Sequence, residues 1–177
     1  MLKKLTVVLV LLALAGGGFL VFSRDSRLDV TSSREVAFPP AKVWREVAEV
    51  WAWPRWWPGL ETAEVNAQLL PGTEIRLGLK GDPERSLAQV VTVLPARELA
   101  WSRPGVLGSR TVTRFELRPT AAGTTVVVTS SILGPQAILA RATGREAFSS
   151  YQQRLLDALA AQLESRANAA GAAAPRS

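Results

Sequence analysis

The 177-residue sequence contains no cysteine and no histidine. The absence of cysteine excludes disulfide bonds, thiol nucleophiles, iron–sulfur clusters, thiolate zinc sites and the lipid-modified cysteine of a bacterial lipoprotein. The absence of histidine removes the side chain that most often acts as a base near neutral pH and most often binds metals. Any catalysis therefore has to rely on carboxylates, lysine, tyrosine or bound water, and we expect no metal or other cofactor.

Runs of one charge are also absent, although the formal net charge is +6. The later arginines are spread along the chain at Arg110, Arg114, Arg118, Arg141, Arg145 and Arg154. Because nucleic-acid binding needs basic residues clustered on one surface, this spacing predicts no nucleic-acid partner. The sequence also contains no motif for a catalytic nucleophile. The glycine run Gly16–Gly18 is not a phosphate loop, because it lies inside an apolar stretch.

One long uncharged run is present, Leu5–Phe22, between Lys4 and Arg24. As a helix it reaches roughly 27 Å, close to the thickness of a bilayer's hydrocarbon core. A cleavable signal peptide is the alternative, because the stretch up to Ala15 has a basic start, a short apolar core and small residues. The apolar residues continue to Phe22, beyond that cleavage position. They therefore favour a retained transmembrane anchor, which comprises residues 1–24. The predicted lipid-facing side chains include Leu5, Val10, Leu14, Phe19 and Phe22.

The basic residues that flank this run bear on membrane orientation. Lys3 and Lys4 favour a cytoplasmic N terminus and an extracytoplasmic domain, whereas Arg24 and Arg27 weaken that asymmetry. Signal cleavage would instead give a secreted or periplasmic protein.

Residues 25–166 are predicted to form one α+β domain. A strand over Leu28–Phe38 precedes a short helix over Pro40–Glu49, which has proline in its first turn, and a helical turn over Trp51–Trp57. Period-two patterns then predict six strands with hairpin-length connections, and hence a curved antiparallel sheet of about seven strands. These six strands are Glu61–Ala67, a segment around Ile75–Leu79, Ser86–Leu94, a segment around Leu99–Trp101, Arg110–Leu117 and Thr124–Leu133.

The period changes again near the C terminus. A helix is predicted over Pro135–Thr143, and after a break at Gly144 a long amphipathic helix over Arg145–Arg166. Ala167–Ser177 is rich in alanine and has no apolar period, so it is predicted to be a disordered tail.

This order of elements resembles the helix-grip fold of the START-like superfamily, in particular its polyketide cyclase/dehydrase-like (SRPBCC) branch. No single segment is diagnostic, but their order and spacing together are specific. The segments that carry the resemblance are Val36–Trp44, Trp53–Gly59, Pro71–Thr73, Leu94–Trp101 and Phe115–Leu117 before Gly123. The resemblance implies a sheet wrapped around the C-terminal helix, with a cavity between them that in relatives takes lipids, polyketides, sterols or hormones. A membrane-anchored form is similar to known bacterial versions of the family.

Strand and helix parity predicts which side chains line this cavity. The predicted lining is Trp53, Trp57, Ile75, Leu77, Gln89, Val91, Trp101, Thr113, Phe115, Phe148, Tyr151 and Leu155. Polar residues with the same parity, Gln89, Thr111, Thr113, Thr124 and Ser130, would be satisfied by a ligand or trapped water, unless they face solvent.

Five of the six tryptophans lie between Trp44 and Trp57. They have three interpretations: aromatic walls near the cavity mouth, structural packing of the short helices on the sheet, or an interfacial belt at the level of lipid headgroups. For Trp56 the structural role is favoured. For Trp53 and Trp57, a cavity wall and a structural role both remain open.

The preferred function is non-catalytic binding or transport of a lipid-like or polyketide-like molecule by a membrane-tethered domain. One alternative is a polyketide cyclase or dehydratase that uses Tyr151 with an arginine or carboxylate on the strands. The strand candidates are Arg76, Arg114 and Glu116. Another alternative is a protein-interaction module of the cell envelope, whose partner the sequence does not identify.

Overall fold

The computed structural model describes residues 2–81 and 86–172. The chain begins with helix α1, Leu2–Phe22, and none of the residues Lys4–Phe22 is buried against the rest of the protein. Among the described residues this is the one helix long and apolar enough to cross a membrane. A membrane anchor and a signal sequence both have these properties.

A seven-stranded, entirely antiparallel sheet in the order β1-β7-β6-β5-β4-β3-β2 forms the body of the protein. The predicted helix-grip fold is confirmed, because the sheet curves around a long C-terminal helix and two short helices follow the first strand. The strands are β1 Arg27–Val36, β2 Leu60–Val65, β3 Glu74–Leu79, β4 Ser86–Leu94, β5 Glu98–Pro104, β6 Arg110–Pro119 and β7 Thr124–Leu133. The other elements are α2 Pro40–Ala48, a 3₁₀ helix over Val50–Arg55, a tight turn over Val106–Gly108, α3 Pro135–Thr143 and α4 Arg145–Ala172.

The strand register defines the two ends of the sheet. Arg27 at the start of β1 pairs with Leu133, Leu133 pairs with Arg110, and Arg110 pairs with Pro104. We call this end, where the chain enters from α1, the proximal end. The turn between β5 and β6 and the start of α3 lie here, and α4 runs from here towards the opposite, distal end.

The main core lies between the concave face of the sheet and α4. It combines residues from all seven strands with Leu155, Leu159 and Leu163 of α4. A smaller cluster around Leu28 and Ile132 lies beneath α3. Both cores consist of residues after α1, so the domain has a complete hydrophobic interior without that helix.

The C-terminal helix is longer than predicted. It continues to Ala172, six residues beyond the predicted end at Arg166, so the predicted disorder of residues 167–172 is wrong. Alanine has the highest intrinsic helix propensity, and it extends a helix whose earlier turns are held by the core. Residues 173–177 of the predicted tail lie outside the described residues.

Candidate ligand cavity

A partly open cavity lies between the concave face of the sheet and α4, with a volume of about 80 Å³. For comparison, an engineered cavity of about 150 Å³ takes up benzene. The space as it stands admits a few waters, so an aromatic or larger ligand requires lining side chains to move. The lining comprises Trp53, Trp57, Leu60, Leu77, Leu79, Trp101, Arg103, Thr111, Thr113, Val128, Ser130, Phe148, Tyr151, Gln152 and Leu155.

Three tryptophans form the aromatic wall of the cavity. The Trp53 ring lies 4.9 Å from Trp57 and 5.0 Å from Trp101, measured between ring centroids. Trp53 is fully buried, and its indole N–H donates to the Val47 carbonyl at 3.0 Å. Trp53 is therefore fixed by the core on one side while it presents its ring to the cavity on the other.

Trp57, which follows the 3₁₀ helix Val50–Arg55, and Tyr151 on α4 together form one wall of the cavity. Both are half-buried, and the Trp57 indole N–H donates to the Tyr151 hydroxyl oxygen at 2.6 Å. The Tyr151 hydroxyl in turn points to the Pro58 carbonyl at 3.5 Å. Because this pair is more exposed than Trp53, it is the part of the wall that can move at lower cost.

A polar strip crosses the concave face on β5, β6 and β7. Arg103 pairs with Thr111 across the strands, and Thr113 pairs with Ser130, so these four side chains share one face. Arg103 is half-buried and is the single charged residue in the lining, and within the described part of the chain it forms no ion pair. Sequence reasoning missed Arg103, although it lies two residues after Trp101 and therefore has the same parity.

Gln152 joins the cavity wall to the sheet. It is buried on α4, and its amide nitrogen donates to the Val30 carbonyl at 3.0 Å and to the Ser130 hydroxyl at 3.1 Å. Its amide oxygen accepts a hydrogen bond from the Ser32 hydroxyl at 2.9 Å. These three bonds satisfy polar groups of β1 and β7 that would otherwise be buried without partners.

Replacing Gln152 with leucine is expected to lower the free energy of unfolding by about 2 kcal/mol, because buried partners on both strands lose their hydrogen bonds. Urea denaturation measures the change. Gln153→Leu is the matched control, since Gln153 is exposed on the same helix, and its substitution should leave stability nearly unchanged. Equal losses in the two variants would contradict this assignment.

Eight of the twelve residues predicted to line the cavity do so: Trp53, Trp57, Leu77, Trp101, Thr113, Phe148, Tyr151 and Leu155. Ile75 and Phe115 share the concave face but are buried deeper in the core and do not border the cavity. Thr111 and Ser130 were also placed with the correct parity. Thr124 is buried elsewhere, where its hydroxyl donates to the Phe38 carbonyl at 2.7 Å.

The prediction for Gln89 and Val91 is wrong, because both point to the outer face of the sheet. Val91 is 49% exposed, whereas Ala88 and Val90 are buried. Strand pairing explains this reversal, since Ala88 lies opposite Ile75 and Val90 lies opposite Trp101, both of which face inward.

The strand residues considered for catalysis lie on the outer surface. Arg114 pairs with Glu98 at 3.2 Å and Arg118 pairs with Glu116 at 2.9 Å, so the buried Arg114–Glu116 pair is not formed. Arg76 is exposed. Tyr151 alone of these candidates reaches the cavity.

The carboxyl groups with shifted pKa values also lie away from the cavity. A hydrogen bond from Arg118 lowers the pKa of Glu116, and a hydrogen bond from Ser131 lowers that of Asp29. Among the described residues there is no cluster of three or more potential metal-binding carboxylates.

The burial of most of these tryptophans disagrees with the interpretation as an interfacial belt. Trp53 and Trp56 are buried in the core, and Trp57 is half-buried in the cavity wall. Trp51 is 57% exposed, and the Arg55 guanidinium lies 5.3 Å from its ring centroid. This burial also removes most of the tryptophan surface that a protein-interaction module would use.

The curved sheet, the long helix across it and the apolar cavity between them define a member of the START-like SRPBCC superfamily. Residues 27–164 match the family described as polyketide cyclase / dehydrase and lipid transport. The chain belongs to this family. Family and cavity together support a domain that binds hydrophobic ligands.

Solved structures share the fold. The Zhui aromatase/cyclase from Streptomyces sp. R1128 aligns with a TM-score of 0.65 at 19% identity, over 82% of this chain and 98% of that chain. A protein from Nitrosomonas europaea aligns with a TM-score of 0.58 at 25% identity, over 76% of this chain and 96% of that chain. The di-domain ARO/CYC StfQ from the steffimycin biosynthetic pathway aligns with a TM-score of 0.67 at 16% identity, over 82% of this chain. The alignment spans 53% of StfQ, about half of that protein. No curated protein matches the sequence.

Proposed function

We propose that this protein binds an apolar small molecule without transforming it, in a domain that α1 tethers to a membrane. The observation that carries the proposal is the position of the cavity mouth. The half-exposed lining residues Leu79, Arg103 and Thr111 lie at the ends of their strands, within two residues of the proximal end. The cavity therefore opens at the end of the sheet where the chain enters from α1.

The connection between α1 and the sheet is short. Four residues, Ser23–Ser26, separate Phe22 from Arg27, and a linker of this length spans at most roughly 14 Å. The Gly134 backbone N–H donates to the Ser26 carbonyl at 2.8 Å, which ties the end of the linker to the start of α3. With α1 in a bilayer, the mouth lies next to the lipid, where an apolar ligand is most concentrated.

Binding is favoured over catalysis because the described lining contains no carboxylate, and the Tyr151 hydroxyl is held between Trp57 and Pro58. One observation favours the cyclase or dehydratase alternative. Arg103 and Tyr151 both reach the lining, and together they offer a cation and a hydroxyl that can polarise a carbonyl group. A ligand recovered with altered mass after incubation, by wild type but not by Tyr151→Phe, would establish that alternative.

Filling the cavity is expected to weaken ligand binding. Thr113→Phe places a ring in the lining, and we expect its affinity for an apolar probe to fall by about tenfold or more. The measurement is tryptophan fluorescence of a fragment from Arg27 onward, titrated with 2-naphthol and with lauric acid. Such a fragment keeps both hydrophobic cores, because α1 contributes to neither.

Val112→Phe is the matched control. Val112 precedes Thr113 on β6 and points to the opposite face of the sheet, so the same side chain is added outside the cavity. We expect its affinity to stay within about twofold of wild type. Melting curves of both variants verify that each is folded. Wild-type protein that binds neither probe, or a Thr113→Phe variant that binds as well as wild type, would refute the proposed site.

A further inference from the structure

Three large apolar side chains are exposed at the proximal end. Val106 and Leu107, in the turn between β5 and β6, are 60% and 58% exposed, and Leu139 on α3 is 53% exposed. Helix α3 packs against this turn, where the Gln136 backbone N–H donates to the Ser109 hydroxyl at 2.9 Å. The three side chains thus belong to one surface, which we call the apolar tip.

The backbone of the tip is unusual. Leu107 has a φ of 55°, in the left-handed region that residues other than glycine seldom adopt, and Gly108 follows with a φ of 73°. This conformation directs two successive apolar side chains outward, although neither is buried against the protein. Packing within the domain therefore does not explain it, and strained turns of this kind often mark a binding surface.

Basic residues surround the tip. The exposed arginines at this end include Arg24, Arg110, Arg141 and Arg145. The exposed acidic residues there include Asp25, Glu146 and Glu74, which lines one surface pocket with Arg110. Arg27 is paired with Asp29 at 2.9 Å and adds no net charge. The flanking charge is therefore positive among the described residues, which is complementary to anionic lipid headgroups.

We propose that the apolar tip inserts into the headgroup region of the bilayer that holds α1, with the flanking arginines on anionic lipids. The inference rests on the anchoring of α1 in the proposed function. It adds a second membrane contact, made by the domain itself. Two contacts fix the orientation of the domain and hold the cavity mouth against the lipid, so that an apolar ligand enters without crossing water.

The absence of native cysteine allows a direct test on the full chain. Three single-cysteine variants are labelled with the fluorophore NBD and reconstituted in vesicles. The vesicles contain phosphatidylcholine and phosphatidylglycerol at a ratio of about 3:1, which gives them a negatively charged surface. Leu107→Cys reports on the tip and Leu12→Cys on α1. Ala121→Cys, in the exposed β6–β7 turn at the distal end, is the matched control.

Nitroxide-labelled lipids, which quench NBD inside the bilayer, distinguish the outcomes. The inference predicts blue-shifted, quenched emission at Leu12 and Leu107 and water-like emission at Ala121. A quenched label at Leu12 with a water-like label at Leu107 would overturn the inference and leave the anchor intact. Labels that are water-like at all three positions would overturn the proposed anchoring as well. A protein partner on the tip would shield Leu107 from water without nitroxide quenching, and this outcome also overturns the inference.

The contribution of the flanking arginines to insertion of the apolar tip is tested separately. Quenching at Leu107 should weaken in vesicles of phosphatidylcholine alone, and also when Arg110→Gln and Arg145→Gln are introduced together. Quenching that is independent of both lipid charge and these arginines would contradict the contribution of the headgroup charge.

Discussion

Trp53→Ala is expected to lower the free energy of unfolding by about 3–5 kcal/mol, the largest loss among the single substitutions considered. Trp53 is fully buried and contacts the rings of Trp57 and Trp101. Its removal leaves a void beside the cavity and a Val47 carbonyl without its donor. Because domains are typically stable by about 5–15 kcal/mol, the variant would lose much of its stability.

Urea denaturation of the fragment from Arg27 onward measures this loss. The matched control is Trp51→Ala, which removes the same side chain from the same 3₁₀ helix. Trp51 is largely exposed and stacks with Arg55, so its loss should cost no more than about 1 kcal/mol. Similar losses in the two variants would show that Trp53 does not have the structural role assigned to it.

Arg166→Ala is expected to destabilise the protein by about 3 kcal/mol through a buried charge. Glu46 on α2 is almost fully buried, and its carboxylate forms an ion pair with the Arg166 guanidinium, with 2.9 Å between Oε1 and Nη1. Arg166 also contacts Glu49 at 3.2 Å, so one side chain near the end of α4 holds two carboxylates of the α2 segment. Without it, the charge on Glu46 keeps a single long contact with Gln162, at 3.4 Å.

Two comparisons isolate this effect in urea denaturation. Arg118→Ala removes an exposed arginine from its pair with Glu116 and should leave the midpoint nearly unchanged. The double variant Glu46→Leu/Arg166→Leu should recover part of the loss, because it leaves no uncompensated charge. A double variant that is less stable than Arg166→Ala would contradict the explanation.

Most secondary structure could be predicted from the sequence because it depends on local patterns. Segments of strand period between turn residues predicted β4 and β7 with their observed bounds, and the proline in the first turn of α2 predicted where that helix begins. The helix-grip fold followed from the order of these elements and from the resemblance of short segments to a known superfamily. The apolar N-terminal helix was visible for the same local reason, as a long run of uncharged residues.

Strand parity predicted the side of the sheet on which Leu77 and Thr113 lie, because only one face of their strands is apolar. It was wrong for Gln89 and Val91 because the strand β4 has apolar residues on both faces, Val90 inward and Val91 outward. Local alternation cannot choose between two apolar faces. Pairing with Ile75 on one side and Trp101 on the other makes the choice, and both partners are more than ten residues away in the chain.

The sequence by itself thus determined the order of helices and strands, the apolar N-terminal run and the exclusion of thiol and imidazole chemistry. Only the tertiary structure decided that Trp53 is fixed in the core, that Arg103 lines the cavity and that Leu79, Arg103 and Thr111 lie near the strand ends next to α1. Local propensity and periodicity involve neighbours in the chain, whereas burial and the lining of a cavity depend on contacts between distant segments. Those contacts are set by strand register and by the path of α4 across the sheet.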